Sequence, residues 1–106
     1  MPKYLLQVSY TAEGAKGVLK DGGSKRRAAA QAAMKSLGGK LETFYFAFGE
    51  SDVIAIADLP DAVSAATASM TLAASGAVTT KTTVLLTPED IDAAVKKSAK
   101  YTPPGS

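Results

Sequence analysis

Apolar residues alternate with polar ones, or fill both alternating positions, in four short runs, and recur at helical spacing between them. Lys3 to Tyr10 predicts a first strand, with Tyr4, Leu6, Val8 and Tyr10 on one face and Leu5, Gln7 and Ser9 on the other. Thr11 has N-cap chemistry and Glu13 suits a helix N-terminus, so a short helix is expected to about Lys20, with Ala15, Val18 and Leu19 available for burial. Asp21-Gly22-Gly23-Ser24 breaks it, because two glycines inside a helix cost about 2 kcal/mol relative to alanine. Ser24 is expected to cap a second piece over 25–37, whose Ala29, Ala30, Ala33, Met34 and Leu37 form a buried stripe, and Gly38-Gly39 stops it.

Two strands are expected next, 40–48 and 52–59, joined by a turn at Gly49-Glu50-Ser51-Asp52. Both alternating faces of this pair carry apolar residues. A sheet with two apolar faces needs two covers. The helices of one small domain supply one, and the other is expected to be a second copy of the chain. Which set of the Phe-rich strand points outward, Phe44, Phe46 and Phe48 or Leu41, Thr43, Tyr45 and Ala47, is left open by periodicity alone. Pro60 stops the third strand and Asp61 caps a helix to about Ser75, with Val63, Ala66, Met70 and Ala73 or Ala74 along one side. Val78 to Leu86 reads as a fourth strand, and Thr87-Pro88-Glu89-Asp90 as the start of a last short helix.

The order is βαββαβ with an added C-terminal helix, which predicts an α+β, ferredoxin-like domain over 1–98. Its sheet is expected to be antiparallel, with the helices on one face. An extended tail is expected over 99–106. Packing two such sheets face to face makes a dimeric α/β barrel.

Composition narrows the chemistry. The chain has no Cys, His or Trp. Disulfides, thiolate or imidazole metal ligation, a histidine base and a cysteine nucleophile are therefore excluded. No cofactor is expected. A net charge of +2 does not suggest a nucleic-acid binder. No run reaches the roughly 20 apolar residues of a membrane span, and Met1-Pro2-Lys3 leads straight into a strand, so a cytoplasmic location is expected.

Three candidate sites stand out. Gly22 to Arg27 sets glycine amides before a helix start and three cations, Lys25, Arg26 and Arg27, a combination suited to phosphate or carboxylate; a helix break, a Ser cap and a solvated basic turn are the simpler reading. A cleft beside the sheet could draw polar groups from Tyr10, Tyr45, Asp52 and Asp58. The simpler roles are core or interface aromatics and, for Asp52, an Asx-type bond to neighbouring amides. Glu89, Asp90 and Asp92 lack the alternation and glycine of a calcium loop, and helix capping accounts for them, so no metal is expected.

Taken together, Tyr10-Thr-Ala-Glu-Gly-Ala-Lys-Gly17, Gly22-Gly23, Leu37-Gly-Gly39, Tyr45, Phe48-Gly49, Asp52, Leu59-Pro60-Asp61 and Leu86-Thr87-Pro88-Glu89 resemble the GYD-domain proteins. These are small bacterial proteins of largely uncharacterised function. The resemblance spans nearly the whole chain and implies the dimeric α/β-barrel group. The Gly-Tyr-Asp signature is incomplete, with Ser51 where the tyrosine is expected. The expected function is an oligomeric small-molecule-binding or structural domain that pairs through its sheet face, with Tyr10, Arg26, Arg27, Tyr45 and Asp52 as ligand contacts. The alternatives are a cofactor-independent monooxygenase or isomerase acting on an apolar substrate, or a regulatory anion-binding protein.

Overall fold

A computed structural model describes residues 1–106. The elements run β1 (Lys3–Tyr10), α1 (Ala12–Asp21), α2 (Gly23–Ser36), β2 (Lys40–Phe46), β3 (Val53–Asp58), α3 (Ala62–Ala74), β4 (Val78–Leu85) and α4 (Pro88–Ala94). The strands form one antiparallel sheet in the order β2-β3-β1-β4. The architecture is α+β and consistent with a ferredoxin-like fold.

Local chemistry sets the helix limits. The Thr11 hydroxyl accepts from the Gly14 amide at 3.2 Å, and the Asp61 carboxylate from the Ser64 amide at 2.8 Å. Thr87 and Asp90 form a reciprocal capping box on α4. The α2 C-terminus is a Schellman motif: Gly38 donates to Lys35 O, Gly39 donates to Met34 O, and Gly38 takes φ 80°. One expected cap is not used. Helix α2 starts at Gly23, straight after Gly22 at φ 79°, and no side chain caps it. The break between α1 and α2 is a one-residue kink that glycine permits, and Ser24 lies already within the helix.

The core is a cluster of Tyr4 and Leu6 from β1, Val53, Ala55 and Ala57 from β3, Met34 from α2, and Ala65 and Ala68 from α3, closed by Leu59. These strand residues are one alternating set, so α2 and α3 cover the same sheet face. Large and small residues pair across strands, Tyr4 with Ala57 and Leu6 with Ala55. Helix α3 buries Ala65 and Ala68, so its packing stripe lies one position away from that expected, and Val63 and Met70 are exposed. A helix of nearly uniform apolar and small residues carries no strong directional signal, and the sheet selects the smaller side chains for close approach. Leu19, expected to be buried, is 87% exposed because α1 packs mainly through its glycine side. Gly14 sits so close to the Ala77 carbonyl that no Cβ would fit.

Strand β2 ends at Phe46, two residues short of the expected limit. A bulge between Leu41 and Thr43 breaks strict alternation. Leu41, Phe44 and Phe46 consequently all pack toward the helices, while Tyr45 is 70% exposed on the other face. The open face presents Leu5, Ile54, Ile56, Thr43 and Tyr45 across three adjacent strands. Lys3 bridges Asp58 at 2.9 Å and Glu42 at 3.1 Å at one end of that face.

Candidate functional site

Between α2 and the helix-covered face of the sheet lies a cavity of about 110 Å³. Helix α2 contributes Ala29, Ala30, Ala33 and Met34, and the strands contribute Leu6, Val8, Phe44, Val53 and Ala55. The void follows from the sequence locally: the alanine stripe of α2 faces the sheet where longer side chains would have filled the space. Leu72 and Val78 complete the wall on the α3 side. Two polar-tipped residues line it, Tyr10 at the end of β1 and Arg26 in the first turn of α2.

The Tyr10 phenol is pushed above its ordinary pKa, mainly by burial. The neighbouring Arg26 guanidinium pulls it part of the way back, and the Asp52 carboxylate opposes that. The hydroxyl therefore stays protonated at neutral pH and offers a donor beside a fixed cation. Arg26 also stands 3.7 Å from Asp21, which holds it in place without a close bidentate pair.

Asp52 supports this corner from outside the cavity. Its amide donates to Val8 O at 2.8 Å, and its Oδ2 accepts the Tyr10 amide at 2.7 Å. The β1–β3 ladder closes at the Val8–Val53 pair, and the carboxylate supplies one further rung where no strand carbonyl remains. The Asx-type bond expected from sequence is thus replaced by a long-range one across 42 residues. The turn itself differs as well. Phe48, not a glycine, takes the left-handed conformation at φ 55°, with its ring stacked 5.9 Å from Phe46. Ser51, within that turn, is buried.

The sequence candidates divide into two places. Tyr10 and Arg26 meet at the cavity, with Asp52 behind Tyr10. Arg27 and Tyr45 line a separate groove of about 290 Å³ along β2, with Gln31, Glu42 and Thr43. Lys25 leans toward Asp21 at 3.7 Å. Lys25 and Arg26 thus both face the Asp21 carboxylate while Arg27 lies in the other groove, so the three cations of α2 do not converge on one ligand site. Asp58 is held by Lys3 and Lys40 on the open face, which depresses its carboxyl pKa through the Lys3 bond. In α4, Asp90 is occupied by the capping box. Sequence reasoning did not single out Phe44 or the alanines of α2 as a ligand wall; the one available signal was a stripe of small residues facing an aromatic strand.

The family model of the GYD domain matches residues 4–95. The chain belongs to the GYD-domain family. The match takes in every strand and α4, so the cavity, the Asp52 rung and the C-terminal helix are all parts of this GYD domain. No curated protein and no solved structure matches the chain. No helix of this GYD domain is long and apolar enough to cross a membrane.

Proposed function

We propose that this GYD domain is a self-associating small-molecule-binding protein. Its ligand is a compact apolar molecule with a single anionic head, a carboxylate, enolate or phenolate. The observation that carries the reading is the apolar cavity with one cation, Arg26, and one protonated donor, Tyr10, side by side in its wall. An apolar cavity of about 150 Å³ accepts benzene, so this smaller one suits a body of about four to six carbons. The head would sit at Arg26, where a charge-assisted bond to a partly desolvated guanidinium contributes about 1.5–3 kcal/mol. Tyr10 and Arg26 are the titratable groups of the lining. A phenol held protonated and an arginine serve recognition better than proton abstraction, which favours binding over the enzymatic alternative.

Isovalerate and benzoate, with isopentanol as the neutral control, test this by amide NMR titration. Saturable shifts at Tyr10, Ala30 and Ala33 are expected for the acids. Arg26→Gln should weaken them about tenfold or more, and Ala33→Leu should abolish them by filling the cavity. No saturable shift up to about 10 mM, or an unaltered affinity in Arg26→Gln, would overturn the assignment.

Self-association rests on the open face. Leu5, Ile54, Ile56 and Tyr45 form an apolar patch on three adjacent strands, rimmed by Lys3, Lys40 and Lys81, and two such faces packed together would make an α/β barrel. Sedimentation velocity should give a dimer that Ile54→Lys converts to monomer. A monomeric wild type at about 50 μM would refute this half of the proposal.

A further inference from the structure

Every residue from Leu86 to Ser106 is exposed, and α4 buries none of its side chains. Leu86, Ile91, Val95 and Tyr101 are 63%, 47%, 75% and 77% exposed. The Cα radius of gyration is 16.9 Å, against about 13 Å for a compact domain of this length, and the longest axis is 57 Å. The segment therefore stands off the domain as an arm.

Yet α4 is built to be a helix. It has a complete capping box, a proline in its first turn and acids at its positive end. Seven residues are far below the roughly 12–15 at which even a good isolated helix becomes marginal in water. A capped helix this short persists only when its apolar edge is packed. Its own domain does not pack it, although α4 lies within the matched GYD domain.

We infer that the arm docks on a second copy of this chain, with α4 seated in the cleft at the root of the other copy's arm. That cleft, about 750 Å³, is lined by Met1, Pro2, Lys3, Val84, Leu85 and Leu86, with Thr87 and Asp90 of the arm's own base forming the remaining wall. The apolar lining matches the exposed Ile91 and Val95. The cleft is continuous with the open sheet face through Leu85, which pairs with Lys3 across β1–β4. Because each arm springs from the cleft that receives the other, a two-fold axis between the roots seats both at once. This inference rests on the dimer proposed above and adds a reciprocal exchange at its margin.

The test uses the full chain. In a dimer assembled from equal amounts of isotope-labelled and unlabelled protein, intermolecular NOEs are expected from the Ile91 and Val95 methyls. Ile91→Asp and Val95→Asp should each raise the dimer dissociation constant about tenfold or more, with unchanged folding of the sheet. A dimeric wild type whose arm gives no intermolecular NOE, and whose dissociation constant is unmoved by both substitutions, overturns the arm exchange and leaves the sheet dimer standing. A monomeric wild type overturns both.

Discussion

Asp52→Ala isolates the contribution of one side chain to the corner that holds Tyr10. The substitution removes the acceptor 2.7 Å from the Tyr10 amide at a half-buried position beyond the Val8–Val53 pair, where the β1–β3 ladder has ended. A hydrogen bond to a charged group contributes about 1.5–3 kcal/mol, and the orphaned amide keeps its desolvation cost. With an m-value of about 1–1.5 kcal/mol per molar urea, the unfolding midpoint should fall by about 1–3 M. Asp52→Asn keeps a carbonyl acceptor and should cost less than about 1 kcal/mol. The assay is urea unfolding followed by circular dichroism at one fixed protein concentration, since association adds to apparent stability. Hydrogen exchange of the Tyr10 amide gives a site-specific readout, and its protection should fall in Asp52→Ala. A loss below about 0.5 kcal/mol, or an Asn variant as unstable as the Ala variant, would refute the idea that the carboxylate acts as a ladder rung.

Gly39→Ala places a methyl group where the Asp58 carbonyl and the Leu59 side chain already stand, with no room for a Cβ. A loss of about 1–3 kcal/mol or more is expected in the same assay, whereas Gly17→Ala, open to solvent, should be neutral or slightly stabilising. Stability should also fall at acid pH through Asp58. Its folded pKa is depressed, chiefly by the Lys3 bond, so its contribution is present above the ordinary carboxylate value near 3.9 and is lost as pH falls through the folded value. Asp58→Asn should flatten that acid limb, measured as thermal midpoint against pH; an equally steep limb would show that the Lys3 bond contributes nothing.

The chain's local signals determined its element order almost completely. Thr11, Asp61 and Thr87 each mark a helix start because their oxygens satisfy amides a few residues away, and Gly38 marks a helix end because its φ is accessible to glycine at no cost. These are short-range effects and need no knowledge of the rest of the fold. The apolar double face of β2 and β3 was likewise legible, and with it the existence of an uncovered sheet surface.

Tertiary structure decided what periodicity cannot. The bulge after Leu41 is a departure from alternation, so only pairing with β3 reveals that Leu41 and Phe44 share a face. The packing stripe of α3 was chosen by the sheet, because a helix rich in Ala, Ser and Thr offers several nearly equal faces. The partnership of Tyr10 with Arg26, and of Asp52 with the Tyr10 amide, spans elements distant in sequence. Periodicity fixes which way a side chain points within its own element; the neighbour it meets is set by how the elements pack, and that is where the cavity, the Asp52 rung and the free-standing arm arise.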